Sequence, residues 1–448
     1  MLISTTLNPK SHVNPGWRRA TRRARLDVAS LAAILTLLTG CSSSLPAGPR
    51  KFAFELPRGT SFGNVTIVAS RKLETEDGAS VLGRTAGSFG ALACASARCS
   101  ETELERGSTT GAIRSIGSVE LERGSRVAGD VATERRVRVA HDARIDGSTA
   151  SNSTQLRPSQ RLAWTSESPS PRLGNVRVER GQTRSLAPAS YGHVHVEGGT
   201  LELTAGTYFF RSLEIERDGT LRIVHNGHAV VAYVDEELEQ SGATDDGGDA
   251  SHLLLAFSGR HKVRFRSPLR ATVVAPHAGI VLKKLRSPEE HRGTVIARTA
   301  SLGRKTTLRH VLFAHWGLFF QPRPVLECVS AFTANAFAAI LGYDNELDIP
   351  LDVPHGPLNR LEPNGDGVPP EVFAPGRNIG VFTTTLPITG VGYRLGPNLA
   401  AATRASLPRC TGAEFKNLPG RVPPGIVDPD RPGPWDPRAL QRLRTGLP

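Results

Sequence analysis

Two adjacent stretches decide the fold: VELERGSRVAGDV at residues 119–131 and VRVAHDARIDGS at residues 137–148. Apolar positions of the first return eighteen residues later in the second, in the pairs Val119 and Val137, Leu121 and Val139, and Val127 and Ile145. Alternation over three residues is typical of a strand with one buried face, and the glycines indicate corners. A period of this length predicts one coil of a β-solenoid, in which each coil buries its inward side chains on the next.

The same internal spacing recurs three more times along the chain. The matching positions are Leu73, Thr75, Ala79, Val81 and Gly83; Val263, Phe265, Leu269, Ala271 and Val273; and Ala300, Leu302, Thr306, Leu308 and His310. Outside the N-terminal leader, only Ala331–Leu341 predicts a helix. We therefore expect an all-β protein with a parallel β-solenoid, or β-helix, over residues 61–316.

The composition changes after Trp316. We interpret residues 317–325 as a linker and residues 326–412 as a small β-sandwich-like domain, because short strand-like segments there are separated by Pro and Gly turns. Residues 413–448 are rich in Pro, Arg and Gly, a composition typical of disorder. The solenoid is expected to hold this terminal β domain away from whatever anchors the chain at its N-terminus.

An apolar run from Val28 to Leu38 follows a segment rich in arginine. The run is too short to cross a bilayer, which takes about 20 helical residues, and its length is typical of a signal-peptide core. It leads into Leu38-Thr39-Gly40-Cys41, which resembles the lipobox of bacterial lipoproteins. In that family the cysteine is acylated and the chain is cleaved before it.

The resemblance implies a lipoprotein signal peptide at residues 1–40, lipidation of Cys41 with palmitate among its acyl chains, and a tether at residues 41–60. Ser42 stands where aspartate would favour retention at the inner membrane, so the resemblance implies the outer membrane. Two or more acyl chains anchor a protein stably. The alternative is an ordinary secretory signal whose cleavage site carries a cysteine.

Four further cysteines, Cys94, Cys99, Cys328 and Cys410, suggest two disulfides in an exported protein. Four cysteines allow three pairings, and proximity in sequence favours Cys94 with Cys99 and Cys328 with Cys410. Neither pair has the CxxC spacing of a zinc site.

The chain of 448 residues carries a formal charge of +13, of which residues 1–40 supply six basic residues and one acid. The remaining surplus is arginine scattered along the predicted strands. A solvated basic surface is the favoured interpretation, contact with acidic polysaccharide is the alternative, and we expect no nucleic-acid partner.

The two opening stretches resemble rungs of polymer-forming, bactofilin-like β-helices. A second resemblance covers Gly174–Trp316, through LTAGTYFFRSLEIERDGTLRIV, RATVVAPHAGIVL and HRGTVIARTASL, and is to an uncharacterised solenoid domain of secreted and pilus-associated bacterial proteins. It implies the fold and carries over no catalytic residue. The predicted tether and terminal domain depart from the bactofilin-like pattern, which weighs against polymerisation.

Three groups of residues are candidates for metal binding or catalysis. His193 and His195 would share one face of a strand, as a metal pair needs, but no third ligand is apparent. The loop ATDDGGDAS offers Asp245, Asp246 and Asp249 as a weak candidate Ca²⁺ site without the ordered alternation of a known calcium loop. His225 and His228 flank an Asn-Gly turn, which we interpret as a surface turn.

A fourth group combines bases with acids, at Lys283, Lys284, Arg286, Glu289 and Glu290. Solenoid enzymes that cleave acidic polysaccharides combine such residues on adjacent coils. A solvated loop is the favoured interpretation, so we expect neither catalytic residues nor a bound cofactor.

The sequence thus favours a lipid-anchored structural or adhesive protein of the bacterial cell envelope, facing the periplasm or the cell surface. Its expected partners are the membrane and either an acidic polysaccharide or another envelope protein. The alternative is a β-helix that binds or cleaves polysaccharide, which an exposed aromatic row would favour. Tyr208, Phe209, Phe210 and Tyr233 are instead expected in the core.

Overall fold

The computed structural model describes residues 49–410 except 154–155, 157, 286–288, 332–336, 364 and 388, and no side chains for 158–160. The described residues lie in one compact unit, Gly48–Pro448. The predicted signal peptide, Cys41, Arg286 and the predicted disordered tail lie outside the described residues.

The described secondary structure is almost entirely β, with short 3₁₀ helices at Ala250–His252 and Trp316–Leu318. The strands are β1 Arg50–Pro57, β2 Val65–Thr75, β3 Ser80–Leu82, β4 Ala91–Cys94, β5 Glu101–Leu104, β6 Thr109–Thr110, β7 Ile113–Ser115, β8 Ser118–Leu121, β9 Arg126–Val127, β10 Val131–Thr133, β11 Val137–Val139, β12 Arg144–Ile145, β13 Thr149–Ala150, β14 Pro158–Ser166, β15 Val176–Val178, β16 Thr183–Leu186, β17 Ser190–Val196, β18 Thr200–Thr204, β19 Gly206–Ile215, β20 Thr220–Val224, β21 Val230–Gln240, β22 Ala243–Asp245, β23 Leu253–Phe257, β24 Val263–Phe265, β25 Arg270–Leu282, β26 His291–Leu302, β27 Thr307–His310, β28 Arg323–Ala331, β29 Phe337–Asn345, β30 Leu351–Asp352, β31 Asn359–Glu362, β32 Val372–Phe373, β33 Gly376–Thr385, β34 Val391–Leu395 and β35 Asn398–Ala402.

The parallel β-solenoid is confirmed, with about 10 turns. Val137 lies beside Val119 and Ile145 beside Val127 in parallel register, so the eighteen-residue period corresponds to one coil. Gly124 (φ 69°) closes a corner in the left-handed region that a glycine adopts without strain.

The inward side chains stack in apolar columns that run through successive coils. One column contains, in spatial order, Tyr208, Ala232, Leu255, Val273, Val295, Ile67, Leu92, Ile113 and Val131. Each of these side chains is at most 2% exposed. Their burial supplies the main stabilising term, because apolar area removed from water contributes about 25 cal/mol per Å².

The coils do not follow one another in the order of the sequence. The stack begins at β15, passes through β17, β19, β21, β23 and β25 to β26, continues into β2, and ends at β13. The two halves join where Val295 of β26 lies beside Ile67 of β2. The first solenoid strand in the sequence, β2, therefore lies in the middle of the stack.

A two-stranded antiparallel ribbon, β1 with β14, packs against one flank of the stack. That flank has apolar side chains on its outer as well as its inner surface, with an outer column of Phe209, Tyr233, Ala256, Val274, Ile296, Val68 and Ala93. Strands buried on both faces have continuous apolar sequences, as in Leu253–Phe257, where every residue is buried.

The C-terminal region consists of antiparallel sheets, with orders β28-β29-β33, β31-β34-β35 and β30-β32. The predicted helix at Ala331–Leu341 is wrong: β28 ends at Ala331 and β29 begins at Phe337. β29 pairs on one edge with β28 and on the other with β33, so tertiary pairing overrides the helix propensity of its alanines. Its apolar residues join the ribbon in a second core on the flank.

Candidate functional site

Aromatic side chains from three separate segments meet on the flank, at what we call the aromatic junction: Phe52 of β1, Phe62, Trp164 of β14, Trp316, Phe319 and Phe320. Phe52 stacks on Trp164 with ring centroids 5.1 Å apart, and Trp316 meets the edge of Phe62 at 5.0 Å. Trp164 and Trp316 are 6.2 Å apart. The junction therefore joins the ribbon, the solenoid and the start of the C-terminal region.

A buried carboxylate ties the same segments together by charge. Asp235 of the solenoid is 8% exposed and forms ion pairs with Arg50 of β1 and with Arg172, which follows the ribbon. Arg50 also donates to Ser258 Oγ at 2.7 Å. Burial, and then the charge of Arg172, lower the pKa of Arg50. A buried charge requires such partners, so Asp235 fixes where the N-terminal strand attaches.

A groove of about 190 Å³ lies between the ribbon and the solenoid. Its lining includes Phe54, Ile296, Ser70 and the oppositely charged Glu55 and Arg161, which are cross-strand partners in the ribbon. The groove thus combines apolar walls with one acid and one base.

The predicted basic surface is partly neutralised by acids on neighbouring coils. Arg126 lies 2.7 Å from Asp146 and Arg138 lies 3.7 Å from Glu120. These ion pairs are exposed, so they stabilise each coil contact only weakly. They leave less positive charge available for an acidic polysaccharide than the composition suggests.

Of the four aromatic residues considered for carbohydrate contact, Tyr208, Phe210 and Tyr233 are core residues, as predicted, and Phe209 is partly buried against the second core. Tyr208 and Phe210 are fully buried inside the solenoid, and Tyr233 is 6% exposed on the flank, where Phe209 stacks on it with ring centroids 5.0 Å apart. Burial raises the pKa of Tyr233 to about 12.

His193 and His195 each contact the next coil rather than a shared point. His193 Nδ1 lies 2.8 Å from Ser212 Oγ, and His195 Nε2 lies 2.7 Å from Glu216 Oε1. The two imidazoles therefore have separate partners.

The carboxylates of the three aspartates in the candidate Ca²⁺ loop each contact a different neighbouring group. Asp245 lies 3.2 Å from Arg222, while Asp246 Oδ1 accepts from the backbone N–H of Gly248 at 3.0 Å. Asp249 Oδ1 accepts from the backbone N–H of Ser251 at 3.0 Å. Within the described part of the chain, no group of three or more His, Cys, Asp or Glu side chains is arranged to hold a metal ion.

The charged loop at residues 283–290 contributes one carboxylate to an ion-pair network. Glu290 accepts from Arg309 at 2.8 Å and from Arg292 at 3.0 Å. Burial raises the pKa of Glu290, but the hydrogen bonds from Arg309 and Arg292 outweigh it and hold the pKa below its usual value. The carboxylate stays ionised and links adjacent coils, which makes it a poor proton donor.

Three histidines that the spacing analysis did not combine meet on another part of the surface; with the nearby exposed His228 we call them the histidine cluster. The ring of His225 stacks on that of His252, with centroids 4.0 Å apart, and His252 Nδ1 lies 2.8 Å from His315 Nε2. Asp249 Oδ2 lies 3.3 Å from His252 Nε2. The members come from three separate segments, so sequence spacing could not reveal the cluster.

Both predicted disulfides are present. Cys94 is bonded to Cys99 within the solenoid, and Cys328 to Cys410 in the C-terminal region. Persistent disulfides of this kind are typical of oxidising compartments.

No protein-family model matches this chain, and neither a curated protein nor a solved structure matches it. None of the helices in the described residues is long and apolar enough to cross a membrane.

Proposed function

We propose that this protein is an exported, lipid-anchored structural or adhesive protein of the bacterial cell envelope. The observation that carries the proposal is the pair of disulfides in a large parallel β-solenoid, because disulfides persist outside the reducing cytosol. The signal-peptide pattern and the lipobox-like Leu38–Cys41 support export as well. In this proposal, acyl chains on Cys41, palmitate among them, anchor the protein in the outer membrane.

The arrangement of the chain supports a role in holding other molecules. β1, the first described strand, lies on the flank beside the C-terminal region rather than at an end of the stack. The outer edges of β13 and β15, the last strands at each end, have no strand partner among the described residues. Open strand edges are surfaces for protein contact.

Binding or cleavage of acidic polysaccharide is the alternative. A basic lateral face and an exposed row of aromatic side chains would favour it. Three of the four aromatic candidates are buried, Phe209 is packed against Tyr233, and several arginines are paired with acids, so no specific observation favours it. Incubation with acidic polysaccharides, followed by chain length and unsaturated products, tests it directly. Clear turnover would replace the structural proposal with an enzymatic one.

Palmitate labelling with membrane fractionation tests the proposal. The wild type should incorporate palmitate and fractionate with the outer membrane, whereas Cys41→Ala should lose the label. Cys94→Ala serves as the matched control, because it removes a cysteine outside the lipobox and should keep the label. Equal labelling of the wild type and Cys41→Ala would refute lipid anchoring.

A further inference from the structure

The segment at residues 311–315 connects the last solenoid strand, β27, to the aromatic junction. It lies across the coils that carry the 3₁₀ helix Ala250–His252, β25 and β26. Val311, its first residue, donates its N–H to the carbonyl of Gly293 at 3.3 Å and accepts from Thr294 Oγ1 at 3.1 Å, and three further contacts hold the rest. Phe313 N–H donates to Thr272 Oγ1 at 3.1 Å, and Ala314 N–H donates to the carbonyl of Ser251 at 2.9 Å. The third contact is the hydrogen bond between His315 and His252.

The hydrogen bond between the two imidazoles depends on their protonation. Asp249 beside His252 Nε2 favours a proton on that nitrogen, which leaves His252 Nδ1 to accept from His315 Nε2–H. One further proton on His315 is compatible with this bond. When both rings are protonated every ring nitrogen donates, and the bond is lost.

Repulsion adds to the loss of the bond. His225 stacks face to face on His252 and His228 is close enough to act on both His252 and His315, so four imidazoles face one another across three segments. Asp249 is the carboxylate that faces them. The carboxylate of Asp249 compensates the charge of one protonated imidazole. A second or third protonated imidazole in the cluster is repelled by the first.

His315 and His252 are held neutral at neutral pH. Burial first, and then His252, His228 and His225, lower the pKa of His315 to about 4. Burial and then His225 lower the pKa of His252. The pKa values of His315 and His252 in the folded protein thus lie below the unfolded value of about 6.5. The contact between the two rings is therefore fully stable above pH 6.5 and is lost as pH falls towards 4.

Release of this segment would act directly on the aromatic junction. Trp316 follows His315 in the chain and is 1% exposed, between Phe313 at 5.6 Å and Trp164 at 6.2 Å. Displacement of residues 311–315 would therefore also displace Trp316, the residue that joins the ribbon to the C-terminal region.

We propose that the histidine cluster is a proton-operated switch, in which proton uptake releases residues 311–315 from the coils beneath them and loosens the aromatic junction. The proposal does not depend on the function proposed above. It assigns the cluster a regulatory role in mildly acidic surroundings, with the solenoid itself remaining folded.

Hydrogen exchange of the full chain, measured by mass spectrometry between pH 7.5 and 5 and corrected for intrinsic rates, tests the proposal. Below about pH 6.5, opening that takes up at least one proton should increase exchange of peptides covering residues 311–318 about tenfold or more per pH unit, whereas exchange should not change between pH 7.5 and 6.5. A peptide covering Val119–Leu121, buried in the other half of the solenoid, should stay protected. Simultaneous loss of protection in both peptides would show global unfolding and overturn the proposal.

Variants separate the cluster from other titrating groups. His315→Gln should remove most of the pH dependence at residues 311–318, and His225→Gln should move the transition to lower pH, because one repelling ring is gone. His195→Gln, an exposed histidine paired with Glu216, is the matched control and should behave as the wild type. If His315→Gln does not fold at pH 7.5, His252→Gln provides the same test, and unchanged pH dependence in the folded variant overturns the proposal.

Discussion

Acidification should destabilise the solenoid through His291, the first residue of β26. Its imidazole is fully buried, accepts from the backbone N–H of Leu269 at 3.0 Å and donates to the carbonyl of Lys283 at 2.9 Å. Burial lowers the pKa of His291 to about 4. Against an unfolded value of about 6.5, that shift corresponds to about 3 kcal/mol, since one pKa unit is worth about 1.4 kcal/mol.

The sign follows from which state binds the proton. The native state keeps His291 neutral, so between pH 6.5 and 4 the unfolded state holds more protons and stability falls with falling pH. The contribution is fully present above pH 6.5 and is lost by about pH 4.

His291→Gln isolates this effect. Glutamine can still accept and donate but does not titrate, so the fall in unfolding free energy between pH 7.5 and 4 should be about 3 kcal/mol smaller than in the wild type. Urea denaturation at pH 7.5, 6, 5 and 4 measures both profiles, and the difference between them cancels the contributions of other histidines. Parallel profiles would refute the reasoning.

A non-polar replacement tests the same site at neutral pH. His291→Leu leaves the N–H of Leu269 and the carbonyl of Lys283 without their partner, and an unsatisfied buried group costs about 1–3 kcal/mol. The leucine variant should therefore be less stable at pH 7.5 than the glutamine variant. Equal stability would mean that these two hydrogen bonds do not support the coil.

Three further predictions concern stability, measured by urea denaturation at pH 7.5. Replacing Cys328 and Cys410 with alanine should cost about 4 kcal/mol on the chain-entropy model, because the disulfide closes a loop across 82 residues. The C-terminal region should also become less resistant to proteolysis, and unchanged resistance would contradict the prediction. Ile67→Ala should cost about 3 kcal/mol, as a fully buried side chain where the two halves of the stack meet; a loss below about 1 kcal/mol would mean that the joint is not tightly packed. Asp235→Asn should cost about 3 kcal/mol by removing the buried carboxylate that pairs with two partly buried arginines. The exposed Asp245→Asn should cost under about 1 kcal/mol, and equal losses would argue against a stabilising role of the buried carboxylate.

The sequence predicted the coil and missed the order of the coils for a physical reason. The eighteen-residue period between Val119 and Val137 is local, and inward side chains at that spacing can stack only as neighbouring coils. The copies containing Leu73 and Ala300 share the same spacing, and the structure places those two residues side by side. Shared spacing shows that two coils have the same shape, but it does not show which coil lies on which.

The buried flank had a sequence signal that alternation alone did not capture. Val230–Val234 and Leu253–Phe257 are uninterrupted apolar runs, and a strand with one exposed face would alternate. Such runs predict a second layer over the outer face of the sheet. The prediction of a helix at Ala331–Leu341 rested on the helix propensity of its alanines. That propensity contributes less free energy than the pairing of β29 with a strand on each edge, so the segment from Phe337 forms a strand.

The order of the coils also determines what the histidine cluster can influence. Because the stack is joined at β26 and β2, the chain enters the fold through β1 and leaves the solenoid through residues 311–316 on the same flank, where Trp164 and Trp316 meet. With the N-terminal part of the chain at one end of the stack, these segments would be separated by several coils. In the observed order, a change at His315 reaches the first described strand through Trp316, Trp164 and Phe52, so β1 and the C-terminal region respond to the same contact.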